Sequence, residues 1–461
     1  MEEIRREKGT HILVIPYPVQ GHINPMLQFS KRLASKNRRL IRITLLATES
    51  ISNIQDSSSS SSDHISNVHI HNLPDPPKEL HEKFGNIDAY LHHLKAAVSH
   101  SLPDIIHKNR DETEVVIYDS ILTWALDVAR EFDLQAAPFF TQSCSNLAIY
   151  YHLYQATISI PLLEPAVSLP SLPRFQINDM PSFISVPGSY PDILKTIFDG
   201  FPHFHQVKWI FCNTFDMLEE EVVSWAASQW PVKNIGPTIP SMYLDKRLQD
   251  DKDYGLSLFK PEAETCRKWL DSKDDKSVVY VAFGSLAALG EDQMEAIARG
   301  LKRSNRHFLW VVRETELKKL PSNFMEGTVE KGLVVTWSHQ LEVLAHKAVG
   351  CFVTHCSWNS TTEALSLGVP MVAIPQWSDQ PTNAKFVMDV WRVGLRAKVD
   401  QRGLITSEEI ELCIREVMEG ERGLEIKRNS EKWKQLAKAA VDEGGSSDKN
   451  IEDFVADLVC S

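Results

Sequence analysis

Residues 350–374 read GCFVTHCSWNSTTEALSLGVPMVAI. Gly350–Thr354 is a short, nearly unbroken apolar run, the pattern of a strand covered on both faces. Asn359–Leu367 places its apolar residues at helical spacing, and Met371–Ile374 is apolar again. Strand, helix and strand in succession make a parallel βαβ unit, which assigns the chain to the α/β class. The same alternation extends outward. Toward the N-terminus lie the strand candidates Val278–Phe283, His307–Val312 and Leu333–Trp337, and helices are expected near Asp292–Lys302 and Asn383–Val390. The first half repeats the theme with strands at His11–Ile15, Ile41–Leu46, Val68–His71, Val115–Tyr118, Ala136–Phe140 and Trp209–Asn213. Its helices are expected at Asn24–Ala34, with Pro25 in the first turn where a missing N–H costs nothing, and near Ile87–Ile106 and Trp124–Phe132.

Pro237–Lys260 is rich in Pro, Asp and Lys with little periodicity, and reads as a connector. The expected organisation is a unit over 1–240, a linker over 241–262 and a unit over 263–440. A final helix over 441–461 is expected to pack back toward the first unit. Asp56–Asp63 is almost entirely serine and reads as a surface loop.

Composition narrows the function classes. With 61 acidic against 49 basic residues the formal net charge is −12, so the basic footprint of a nucleic-acid binder is missing. No apolar stretch approaches the roughly 18–20 residues that span a bilayer. The opening MEEIRREKGT–HILVIPYP has too short an apolar run, broken by Pro16 and Pro18, for a secretory leader. Seven cysteines, an odd number with no CxxC pair, suggest buried thiols rather than a disulfide framework. The chain is therefore expected to be cytoplasmic.

In open α/β sheets ligands bind beyond the carboxyl ends of the strands. In the first half Gln20-Gly21-His22 follows the first strand, and Asp119 ends Val115–Tyr118. A histidine with one ring nitrogen on a carboxylate makes a general base; from spacing alone, the plainer reading of both residues is as helix caps. In the second half Thr354-His355-Cys356-Ser357-Trp358-Asn359-Ser360 leads from strand to helix, where free N–H groups and the helix dipole attract an anion. Glu363 lies one turn beyond Asn359 and can accept from two ribose hydroxyls, while Trp337 offers an indole to a flat base. A capped helix with a buried tryptophan remains the alternative.

The 44 residues from Trp337 to Gln380, WSHQLEVLAHKAVGCFVTHCSWNS through PQWSDQ, closely resemble the signature box of plant family 1 UDP-glycosyltransferases. The resemblance also covers PYPVQGHINPMLQFSKRL, VVIYDS, APFFTQS, YVAFGS and DEGGSSDKN, and so nearly the whole chain. FCNTFDMLE and WSHQ look like the group that acts on plant hormones, phenolic or carboxylic acids and terpenoids. It implies a GT-B fold: two facing Rossmann-like domains with a cleft between them.

It further implies that Trp337, with Ser338 beside it, stacks on uracil, that Gln340 contacts base or ribose, and that Glu363 binds the ribose hydroxyls. His355, Ser357, Asn359 and Ser360, with Gly284 and Ser285, would hold the diphosphate; Trp358, Asp379 and Gln380 would hold the sugar. Gln380 resembles the glutamine that accompanies glucose. His22 would be the base and Asp119 its orienting partner. Inversion, UDP-glucose as donor, a small-molecule acceptor, no metal or other cofactor, and a monomer are implied as well. Tyr17, Phe140, Thr141, Ile149 and Phe201 are candidates for the acceptor pocket, although core is the plainer reading of Tyr17, Phe140, Ile149 and Phe201.

One position departs from the family pattern: Ser357 stands where glycine is usual, which puts the backbone at the diphosphate in question. Two rival classes fit less well. A dinucleotide oxidoreductase would want GxGxxG where Gln20-Gly21-His22-Ile23-Asn24-Pro25 stands. A protein that only holds a UDP-sugar would have no use for the His22–Asp119 pair.

Overall fold

Strand β1 (Thr10–Ile15) is buried at every position, because strands flank both its edges and helices cover both its faces. The computed structural model describes residues 9–37, 40–49, 67–75, 87–108, 113–256 and 259–460; the serine tract Asp56–Asp63 lies outside them. With β2 (Ile41–Thr48), β3 (Val68–Leu73), β4 (Thr113–Asp119), β5 (Gln135–Phe140), β8 (Ile210–Cys212) and β9 (Val232–Asn234), β1 forms a seven-stranded parallel sheet of order β3-β2-β1-β4-β5-β8-β9. A short antiparallel pair, β6 (Ala166–Val167) and β7 (Phe175–Gln176), stands apart.

The second sheet is also parallel and has six strands. It joins β10 (Val278–Ala282), β11 (His307–Val311), β12 (Gly332–Val335), β13 (Val349–Thr354), β14 (Met371–Ala373) and β15 (Gly394–Arg396) in the order β12-β11-β10-β13-β14-β15. The two sheets obey one plan. Each starts in the middle, grows two strands one way, then returns to grow the other way. The chain therefore reverses between β1 and β4, and again between β10 and β13. These switch points are where a doubly wound sheet opens a ligand crevice.

Several elements differ from the sequence reading. Helix α1 (Gln20–Lys36) begins four residues before the expected Asn24, which puts Pro25 inside it rather than at its start. Helix α2 (Cys144–Tyr154) was not anticipated, since it is apolar on nearly every side and buried along most of its length. β9 and β15 are three-residue edge strands with mixed sequences, VKN and GLR, too short to stand out. β12 stops at Val335, so Trp337 lies in the loop beyond it, before α3 (Gln340–Ala345). Helix α4 (Trp358–Leu367) follows β13. The helix expected over Asn383–Val390 instead starts as α5 (Gln380–Lys385) and loosens into a π turn over Phe386–Val390.

The two halves are packed against each other by buried indoles. Trp358 Nε1 donates to the Asn213 carbonyl at 2.6 Å, and Trp391 Nε1 donates to the Leu218 carbonyl at 3.0 Å. Charged pairs tie α1 to the connector: Lys31 meets Asp251 at 2.9 Å and Arg32 grips Asp245 through two bonds of 2.9 and 3.1 Å. Three helices end the chain, α6 (Ser407–Met418), α7 (Gly420–Val441) and α8 (Ser446–Cys460). The last packs on α1 and β9 of the first sheet and carries Ile451, Phe454 and Leu458 into the core around Ile12, Val14 and Phe29. Cys144, Cys212, Cys266, Cys351, Cys356 and Cys413 are buried free thiols.

Candidate functional site

Because β1 and β4 are neighbours with Ile15 opposite Tyr118, the end of β4 meets the turn that follows β1. His22, in the first turn of α1, places Nδ1 2.6 Å from Asp119 Oδ2. The carboxylate is buried, and its other oxygen accepts the Ile121 N–H at 3.2 Å. This hydrogen bond assigns the imidazole proton to Nδ1 and leaves the Nε2 lone pair as the basic one. Burial by itself would lower the His22 pKa, but the charge and hydrogen bond of Asp119, with the charge of Asp379 farther off, raise it instead. The His22 side chain keeps 27% of its surface exposed, so a substrate can reach it. Tyr17 flanks it edge-on at 5.5 Å, and Thr141 Oγ1 lies 3.2 Å from Nδ1.

The second switch point faces the first. Ala282 pairs with Thr354, so the Gly284 turn after β10 lies beside His355 after β13. Gly284 has a positive φ of 71°, and a Cβ there would come within 2.7 Å of the His355 ring. A side chain at this turn would press the imidazole out of place. His355 is buried and neutral, its pKa lowered to about 4 by burial, and its Nδ1 has no protein partner. An orphaned buried nitrogen beside a helix N-terminus suits an anionic ligand that completes it. Ser285 presents its carbonyl to Arg313 Nη1 at 2.5 Å, which braces the turn.

The question raised by Ser357 has a local answer. Ser357 is the N-cap of α4 with an ordinary φ of −58°, while the left-handed residue is its predecessor, Cys356, at φ 62°. That turn is fixed on both sides. The Cys356 N–H reaches Thr354 Oγ1 at 3.1 Å, and its carbonyl accepts Asn383 Nδ2 at 2.9 Å.

The halves touch where the two crevices meet. Pro25 has no N–H to offer the carbonyl four residues back, that of Gly21. Asn359 Nδ2 donates to that carbonyl instead, at 2.7 Å. Asn359, expected on the diphosphate, thus commits one amide N–H to the helix that carries His22 and retains the other.

Other expected donor residues form a linked set. Gln340 Nε2 donates to Ser360 Oγ at 2.9 Å and to Glu363 Oε2 at 2.7 Å. Burial raises the Glu363 pKa to about 7. Burial likewise raises that of Asp379 to about 6, although Asn383 Nδ2 donates to its Oδ2 at 2.7 Å. Gln380 Oε1 accepts the Gln376 and Trp377 N–H groups at 2.8 and 3.1 Å, so the loop before α5 is built around its side chain. Trp337 keeps a partly exposed ring, tilted against Phe259 at 4.5 Å between centroids.

Four expected contacts are corrected. The Trp358 side chain is 2% exposed with its N–H spent on Asn213, so its indole joins the halves rather than facing a sugar. The Ser338 hydroxyl is buried against Tyr280 at 3.0 Å. Ile149 and Phe201 lie in the core, the latter among Tyr151, Tyr154, Phe204 and Trp230. Phe140 is partly exposed beside Phe204, and Tyr17 and Thr141 border the His22 side of the cleft. Sequence reasoning missed Asn383, which braces Asp379 and Cys356 together, and Tyr254, whose hydroxyl donates to Glu363 Oε1 at 2.8 Å. Asn383 lay in a recognised helix with no periodic signal to mark it, and Tyr254 lay in a segment without periodicity.

Residues 210–433 match the family described as UDP-glucoronosyl and UDP-glucosyl transferase, and residues 9–185 match the glycosyltransferase N-terminal domain. UDP-glycosyltransferase 74E2 of Arabidopsis thaliana is 48% identical over 456 residues, 97% of this chain and 99% of its own. Mogroside I-E synthase of Siraitia grosvenorii is 49% identical over 460 residues, 98% of this chain and 99% of its own. Among solved structures, Os79 from O. sativa in complex with UDP superposes with a TM-score of 0.86 at 34% identity, covering 97% of this chain and all (100%) of its own. Among the described residues, no helix is long and apolar enough to cross a membrane, and no group of three or more His, Cys, Asp or Glu is placed to hold a metal.

Proposed function

The chain belongs to the plant family 1 UDP-glycosyltransferases, and from that membership we propose that it transfers glucose from UDP-glucose to a hydroxyl or carboxyl group of a small apolar metabolite, with inversion. The observation that carries this reading is the 2.6 Å His22–Asp119 pair, set across the cleft from the N-terminus of α4 and joined to it by the 2.7 Å Asn359–Gly21 hydrogen bond.

The reaction is a single displacement. His22 Nε2 takes the proton of the acceptor hydroxyl. The acceptor oxygen bonds to the anomeric carbon as the bond from that carbon to the diphosphate oxygen breaks, and UDP leaves from the opposite face. The imidazolium formed is stabilised by Asp119. The N–H groups at the start of α4, the neutral His355 and the second Asn359 N–H meet the charge that gathers on the diphosphate. This set answers the leaving-group charge without calling on a metal. Glu363 would bind the ribose, Trp337 the uracil after Phe259 yields its place, and Asp379 and the Gln380 amide the glucose hydroxyls. A carboxylic acid acceptor arrives ionised and has less need of His22.

Tyr17, Phe140 and Thr141 support an apolar acceptor beside the base, and the likeness to mogroside I-E synthase points the same way. A cytoplasmic monomer is the proposed setting. The test is a matrix of UDP-sugars against alcohol, phenol and carboxylic acid acceptors, with mass spectrometry of the products. A clear preference for UDP-galactose or UDP-glucuronate would refute the donor assignment.

A further inference from the structure

Glu363 is 4% exposed, and each of its oxygens already has one donor, Tyr254 on Oε1 at 2.8 Å and Gln340 on Oε2 at 2.7 Å. An ionised carboxylate offers about four lone-pair sites, so one is left on each oxygen. Two free sites side by side match a vicinal diol, whose hydroxyls donate in parallel.

Tyr254 belongs to the connector, yet its position is not left loose. Just before it, buried Lys31 donates to Asp251 Oδ1 at 2.9 Å and to the Asp253 carbonyl at 2.8 Å. Gln28 adds a bond to the same carbonyl at 3.1 Å, and just after it Gln20 donates to the Leu256 carbonyl at 3.1 Å. All three partners lie on α1, the helix that carries His22. The backbone on either side of Tyr254 is therefore fixed to that helix while its hydroxyl crosses to α4.

We propose that Tyr254 is a positioning residue for the sugar nucleotide: it holds the Glu363 carboxylate turned so that both oxygens receive the ribose hydroxyls. The inference rests on the reading of Glu363 as the ribose carboxylate. The titratable groups that face this carboxylate are the phenols of Tyr254, Tyr280 and Tyr243, all un-ionised in the neutral range, and none supplies a positive charge. Burial pushes the Glu363 pKa up to about 7, and the Gln340 and Tyr254 hydrogen bonds hold it from rising further. The ionised form binds the diol, so donor affinity falls as pH drops through this pKa. Loss of the Tyr254 hydroxyl moves that fall to higher pH.

The experiment compares the full-length wild type with Tyr254→Phe and Glu363→Gln, using UDP and 2′-deoxy-UDP in calorimetry and UDP-glucose in kinetics. Tyr254→Phe is expected to raise KM for UDP-glucose about tenfold at neutral pH with kcat nearly unchanged. It is also expected to shift the acid limb of kcat/KM for the donor upward, and to shrink the preference for UDP over the 2′-deoxy compound. An unchanged KM and acid limb, or a loss confined to kcat, overturns the proposal. If instead Glu363→Gln binds UDP as tightly as the wild type, the ribose assignment itself fails, whatever Tyr254→Phe does. Thermal midpoints measured in parallel separate a misfolded variant from a misplaced carboxylate, and the nucleotide preference reads the site in whatever fraction is folded.

Discussion

His22 acts through an un-ionised Nε2, so the rate with an alcohol acceptor should fall as pH drops through its pKa. Burial pulls that pKa down and Asp119 more than restores it, so Asp119→Asn should move the acid limb to lower pH while also lowering the plateau. His22→Ala should cost about 10²–10⁴-fold with an alcohol and much less with a carboxylic acid. Wild-type turnover of an alcohol by His22→Ala would end the assignment. Ser357 is a different case. Its φ of −58° suits any residue and its side chain makes no capping bond, so Ser357→Gly should shift donor kcat/KM by less than about twofold, a few tenths of a kcal/mol. A large loss in steady-state kinetics would instead reveal a ligand in the serine hydroxyl. The sequence showed that this loop was unusual but not which residue bears the left-handed turn, since serine follows a cysteine that no pattern marks. The direction of the Trp358 indole was equally hidden, because its partner Asn213 is distant in sequence.

Strands were legible in proportion to their burial, whereas the buried helix α2 has no polar face to set a helical period. Interior strands such as β1, β10 and β13 are apolar at nearly every position and announce themselves, whereas the edge strands β9 and β15 are short and mixed. Pro25 is favourable in a first turn and so points to a helix start at Asn24, whereas α1 starts at Gln20. The proline's actual place, inside the helix, leaves the Gly21 carbonyl to Asn359. Proline within a helix is disfavoured by about 3 kcal/mol relative to alanine. Pro25→Ala should therefore raise the thermal midpoint and also restore an intrahelical N–H that competes for Gly21. We expect kcat/KM to fall as the helix gains stability. Calorimetry paired with kinetics checks this, and a stabilised variant with unaltered kinetics would show that the bond between the halves has no bearing on turnover.

Across the whole molecule, α1 is tied to the connector, to α8 and, through Asn359, to the second half. Its Lys31 and Arg32 are buried with Asp251 and Asp245, and removing one partner of such a pair costs about 3–5 kcal/mol. Arg32→Met should lower the thermal midpoint markedly. Burial would raise the Asp245 pKa, but Arg32 and Ser241 bring it below the ordinary carboxylate value. Its stabilising effect is thus complete above the unfolded-state pKa and disappears as pH falls through the depressed folded one. Without Arg32, acid unfolding should begin at a higher pH, which circular dichroism across a pH series would follow. Such ties join residues hundreds of positions apart, so periodicity could not disclose them. Phe454 of α8 stacks edge-on against Trp209 at 4.9 Å, and with Ile451 and Leu458 it completes a wall of the first half's interior, although α8 follows the whole second sheet in sequence. Anyone recombining this enzyme with a relative to swap acceptor range should treat the exchangeable cassette as discontinuous, with the terminal segment inherited from the same parent as α1 and a crossover placed ahead of it as well as in the connector.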